Sequence, residues 1–253
     1  MKSKLPRLAR SATALLLAFT ALASQAQLRS EISSRSFTEG EWALLPEWCI
    51  DTQMGPYGLT ESSGVNKSPR AQQWLALMGT DFWHMHHYCR GLTDLNRLKR
   101  ADLSPRERIS LMETAINEFT YVINNCKSTM PLMPEAFLLM GDVYVMRNEY
   151  AQASAAFERS RKLKPDYWPA YSRWADVLIG LKQFERARAL LEEGLGYSPQ
   201  QPVLLQKLRQ AGGKERPVAA PKAALPAALP AVPPSVPPAT TASIAEPAAS
   251  SPP

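Results

Sequence analysis

Between Phe82 and Leu208 apolar residues recur at intervals of three and four, the period of helices that bury one face. Two stretches carry this pattern in phase. PEAFLLMGDVYVMRNEYAQASAAFERSRKLKPDY, from Pro134, and WPAYSRWADVLIGLKQFERARALLEEGLGYSPQQ, from Trp168, align at a spacing of 34 residues. Phe137 then pairs with Tyr171, Met140 with Trp174, Tyr144 with Leu178, Tyr150 with Phe184 and Phe157 with Leu191. Each copy predicts two helices, interrupted at RNE or LKQ and closed by Pro165 or Pro199, since proline cannot continue a helix. Gly141, Ala153, Ala175 and Ala187 are small enough to let the two helices approach closely.

In length, in phase and in these aromatic, small and proline positions the copies resemble the tetratricopeptide repeat. The resemblance implies an all-α solenoid of helical hairpins, with repeats at 134–167 and 168–201. Residues 202–212 would form a capping helix burying Leu204, Leu205 and Leu208 and ended by Gly212. Gly194 stands where the family usually has alanine, a departure expected to be harmless. Two repeats cannot bury their apolar faces alone, so residues 68–133 are expected to form a degenerate first repeat. Its second helix opens with Ser104 as cap, Pro105 in the first turn and Glu107 closing a capping box. Met112, Ala115, Phe119 and Val122 share one face of it.

The first helix of that unit would contain FWHMHHYC, which holds all three histidines of the chain and one of its three cysteines. At 100° per residue Phe82, Met85, Cys89 and Leu92 form one apolar stripe. Aligned on Phe137, Met140 and Tyr144, this stripe puts His86 at the close-packing position of Gly141. Trp83, His87 and Arg90 fall on the side that lines the groove in the family, and His84 points outward. His84 and His87 lie one turn apart and could share a metal, and His86 with Cys89 likewise. Neither pair completes the four ligands of a structural zinc site. The reading is therefore packing and groove lining, with no metal or cofactor. A metal- or redox-handling role through His84, His86, His87 and Cys89 is the alternative.

An exported chain with three cysteines suggests one disulfide and one free thiol. Cys49 lies in an irregular arm, residues 27–67, and Cys89 on the first packed helix. A bridge between them would close a loop of about 40 residues, worth roughly 4 kcal/mol. Cys126, at a helix end, would be the free thiol. The succession LPEWC, HMHHYCRGL and two repeats also resembles a group of uncharacterised exported bacterial repeat proteins, which supports this pairing and implies no activity.

Export follows from residues 1–26. Lys2, Lys4, Arg7 and Arg10 precede an apolar run from about Ala12 to Ala23, and small residues at Ser24 and Ala26 favour cleavage before Gln27. The run is shorter than the roughly 20 residues of a membrane span, so no membrane span is expected. The destination would be the periplasm of a Gram-negative bacterium, or the medium. Of the formal charge of +6, four cations belong to the leader. The nearly neutral remainder, with its one dense basic run at Arg159–Lys164, argues against nucleic-acid binding. Residues 213–253 are Ala-, Pro-, Ser- and Thr-rich, a composition that cannot offset its ordering entropy, and are expected to be a disordered tail.

No phosphate-binding glycine loop, zincin motif or nucleophile elbow occurs, and no histidine outside the cluster could act as a base. An enzyme is not expected. The resemblance implies binding of another protein or peptide of the cell envelope in a concave groove, as an adaptor or assembly factor. Carried onto this sequence, groove positions on the first helices are Glu135, Leu138, Asp142 and Met146, then Ser172, Asp176 and Ile179. Asp142 and Asp176, 34 apart, would project in parallel and make the trough acidic. Leu138 and Asp142 replace the lysine and asparagine that clamp a C-terminal carboxylate in the family. A basic or amphipathic segment is the expected ligand.

Overall fold

The computed structural model describes residues 37–52 and 68–213. The expected signal peptide, residues 1–26, lies outside them, as does the expected disordered tail beyond Gly213. Of the described residues, 37–42 belong to a unit apart from the rest. There Thr38 caps a one-turn helix α1 (Glu39–Ala43), accepting from the Glu41 amide at 3.2 Å, and the rings of Phe37 and Trp42 lie 4.8 Å apart.

The second unit is all helical among its described residues. A 3₁₀ turn (Glu47–Asp51) leads to α2 (Ala71–Met78), a second 3₁₀ turn (Gly79–His84) and α3 (Met85–Arg97). Then follow α4 (Pro105–Asn125), α5 (Met133–Met146), α6 (Tyr150–Leu163), α7 (Trp168–Gly180), α8 (Phe184–Tyr197) and α9 (Pro202–Gln210). Helices α2 to α9 pack in sequential antiparallel pairs. Helices α5 and α7 also touch, and α9 covers both α7 and α8.

The two repeats match in their turns as well as their cores. Asn148 and Lys182, again 34 apart, are the two non-glycine residues with positive φ among the described residues, at 60° and 58°. Each lies just past a first helix, whose last carbonyls are satisfied by Glu149 N to Tyr144 O and Gln183 N to Leu178 O, both 2.8 Å. This is the left-handed stop that ends many helices, normally built on glycine or asparagine. Lysine is the costlier occupant: both residues carry a Cβ that crowds the backbone there, but the short polar side chain of asparagine can bond locally, as Asn148 does in accepting from the Tyr150 hydroxyl at 2.9 Å.

Small residues fix the closest approaches. A Cβ added to Gly141 would meet Phe157 at 2.8 Å, and one on Gly91 would meet Phe119 at the same distance. Gly91, not His86, is therefore the counterpart of Gly141, and the expected register of the first repeat is corrected by five residues. The error came from aligning the stripe by its large residues. Phe82, Met85, Cys89 and Leu92 are indeed buried, but the helix holding them is α only from Met85 onward. The departure at Gly194 is harmless as expected and is in fact what the packing needs: a Cβ there would meet the buried Tyr171 ring at 2.8 Å. The glycine makes room for tyrosine where the other repeat has Phe137. In α9 Leu204 and Leu208 are buried as expected, whereas Leu205 is only half-buried. Gly212, at φ 76°, follows the helix.

The capping box at Ser104 and Glu107 is present in full. Cys49 and Cys89 form a disulfide, and Cys126 is a buried free thiol. The bridge is one of two anchors for the segment before α2. Asp51, fully buried, accepts from Ser68 Oγ at 2.5 Å and Trp74 Nε1 at 2.7 Å, and pairs with Arg70 at 2.9 Å. Arg70 also pairs with Glu47. Trp48 packs against Tyr88 with ring centroids 5.8 Å apart. What reads as an irregular arm is, over residues 47–52, a tightly held plug.

Candidate functional site

The first helices α5 and α7 carry the expected groove residues, and they are not equally available. Leu138 and Ser172 are buried, at 5% and 6% exposure, and Ile179 packs against the same core cluster as Leu138. The contact between α5 and α7 withdraws these positions from an open trough. Glu135 is half-buried, and Met146, one turn beyond Asp142, is 49% exposed.

The two aspartates do not make a free acidic surface. Asp142 on α5 faces Arg173 on α7, with Oδ2 to Nε at 3.6 Å. Asp176 on α7 is ion-paired and hydrogen-bonded to Lys207 on α9. Since 173 and 207 are also 34 apart, the same ion pair recurs from each first helix to the next. The expectation of uncompensated aspartates is corrected: each is partnered by a cation from the next first helix. A search for acidic and basic residues separated by 31 positions would have found both pairs.

The surroundings of Asp142 are electrostatically tight. Burial, with the nearby charge of Asp176 adding to it and Arg173 opposing it, pushes its carboxyl up to about 6. Tyr167, between α6 and α7, is half-buried, and burial together with the negative charges of Glu135 and Asp142 pushes its phenol well up. Tyr167, Arg173 and Lys207 belong to this site and escaped the sequence reading, which considered only residues at the family's groove positions.

The upstream residues behave differently. His87 Nδ1 lies 2.5 Å from Oε2 of the buried Glu118 on α4, and its ring stacks on Tyr121 with centroids 3.5 Å apart. His84 does not point outward but puts Nδ1 3.3 Å from the Tyr121 hydroxyl. His86 Nδ1 lies 3.0 Å from the Trp83 carbonyl, and burial, helped by His87 and Arg90, holds its value down to about 4. At neutral pH the ring is uncharged, so Nδ1 carries the proton and donates. His84 and His87 thus both meet Tyr121 on α4, while the His86 ring lies against His87, with centroids 4.2 Å apart. His87 is directed into that helix pair, while Trp83 and Arg90 are half-buried.

A metal- or redox-handling role for the cluster loses its sulfur ligand, since Cys89 is bonded to Cys49. Among the described residues no three His, Cys, Asp or Glu side chains are placed to hold a metal ion. Burial pushes the Cys126 thiol up to about 12, so it is a poor nucleophile. Among the described residues no helix is long and apolar enough to cross a membrane.

Comparison with known proteins gives one match. The family model described as tetratricopeptide repeat matches residues 144–211, about a quarter of the chain. It takes in the end of α5 and all of α6 to α9. No curated protein and no solved structure matches the chain.

Proposed function

We infer that the chain, whose residues 144–211 carry the tetratricopeptide repeat, is an exported adaptor or assembly factor of the bacterial cell envelope. It holds a segment of a partner protein against the first helices α5, α7 and α9. The repeat itself implies a protein partner; the envelope setting rests on the leader-like residues 1–26 and on a disulfide, which favours an oxidising compartment. The observation that carries the groove is periodic: Asp142 and Arg173, then Asp176 and Lys207, present the same pair of charges on successive first helices. A strip of evenly spaced polar anchors suits an extended or helical segment better than a small molecule. The half-exposed Met146 adds an apolar contact beside it.

The test is capture from the native envelope fraction by the tagged full chain. Glu135→Lys with Met146→Lys should abolish recovery of a specific protein, and Ile109→Lys on the exposed side of α4 should leave it intact. Recovery that survives the groove change and fails with Ile109→Lys would move the interface to α4. N-terminal sequencing of the mature protein should read from Gln27, and a sequence beginning at Met1 would remove the envelope setting.

A further inference from the structure

The two ion pairs of the groove share a period but are built in opposite senses. In the outer pair the cation is recessed and the anion exposed: Lys207 is 16% and Asp176 47% exposed, and the two are hydrogen-bonded. In the inner pair the anion is recessed, with Asp142 at 19% exposure and Arg173 at 59%. At 3.6 Å the Arg173 contact is too long for a hydrogen bond. Among the described residues no donor lies within hydrogen-bond distance of the Asp142 carboxylate. A carboxylate four-fifths covered and without a protein donor is only partly compensated for its burial, and Glu135, Asp176 and the Tyr167 phenol around it repel no cation.

We propose that Asp142 is the anchor of the groove and takes the cationic side chain of a lysine or arginine from the bound partner segment, with Arg173 as the chain's own stand-in that the ligand displaces. The proposal rests on the groove reading given above and assigns unequal roles to two residues that the repeat makes equivalent. Asp176 is already satisfied by Lys207 and serves to join α7 to α9. Asp142 gains two things from a ligand cation: the hydrogen bonds that Arg173 does not supply, and relief of a charge that burial disfavours. Because that carboxyl ionises only above about 6, capture should weaken as the pH falls below this value.

The experiment uses the full chain and two defined probes, n-butylammonium for the lysine side chain and N-ethylguanidinium for arginine, with butyrate as an anionic control. Amide shifts are followed by NMR at low salt. Saturable perturbation should centre on Glu135, Asp142, Tyr167 and Arg173 with either cation and be absent with butyrate. Asp142→Asn should weaken binding about tenfold or more, a loss of roughly 1.4 kcal/mol. Arg173→Gln should tighten it several-fold by removing the competitor, and Asp176→Asn should change it little. Unchanged binding in Asp142→Asn, weaker binding in Arg173→Gln, or no cation response at these residues would each overturn the proposal. If the probes fail while Glu135→Lys with Met146→Lys still abolishes partner capture, the anchor is wrong and the groove stands. If capture is also indifferent to those changes, the groove itself falls.

Discussion

Replacing Asp142 by asparagine removes a charge that the folded state holds at a cost. The carboxyl is raised from an ordinary 3.8 to about 6, so between those values the folded chain binds a proton that the unfolded chain has released. Its contribution to stability is fully present below about 3.8 and lost as the pH rises through 6. A displacement of that size corresponds to about 3 kcal/mol, an upper figure that already contains the attraction of Arg173. Asparagine mimics the protonated acid and does not ionise. Urea unfolding from pH 3.5 to 8 should therefore show Asp142→Asn gaining on the wild type as the pH rises, by up to about 3 kcal/mol at pH 7. In thermal melts this is on the order of 6–12 °C. The difference between the two proteins is the quantity to read, because His86 opposes it. Its value is lowered from 6.5 to about 4, so its contribution is present above 6.5 and lost as the pH falls, and it cancels between variants that share it. A stability difference flat from pH 4 to 8 would refute the burial and weak pairing assigned to Asp142.

The packing makes three further predictions. Gly194→Ala must displace the buried Tyr171 ring and should cost about 1–3 kcal/mol, measured by urea unfolding; a neutral result would mean that the contact relaxes freely. Lys182→Gly, at φ 58°, should stabilise by about 0.5–1 kcal/mol in the same assay, with Asn148→Gly gaining less. Breaking the Cys49–Cys89 bridge by Cys49→Ser with Cys89→Ser should cost about 4 kcal/mol. Thiol labelling of the unfolded wild-type chain should find Cys126 alone.

Sequence periodicity carried most of the fold, since two helices per 34 residues, the prolines and the capping box at Ser104 are local signals. It misplaced the first repeat because FWHMHHYC offers large apolar residues in a convincing stripe. What sets register is the glycine facing an aromatic ring, and Gly91 lies outside that motif and meets Phe119 across a 28-residue separation. The site was half legible. Asp142 and Asp176 stand out on first helices, but Arg173 and Lys207 reach them from the next repeat, and no pattern within one repeat reveals a partner one repeat away. Nor could spacing show which member of each pair is recessed. The anchoring of residues 47–52 rests on Asp51, whose ligands Ser68, Arg70 and Trp74 arrive from beyond an intervening segment.

The central claim is that a partner segment lies along the first helices beside Asp142. It is tested most directly by placing a photo-cross-linking amino acid at Met146, one turn from Asp142, or at Ile109 on α4, both about half exposed. After irradiation of cells expressing the full chain, Met146 should give a discrete adduct with one partner, absent when Asp142→Asn is added, and Ile109 should give none. An adduct from Ile109 alone, or one from Met146 that is indifferent to Asp142→Asn, would contradict the account.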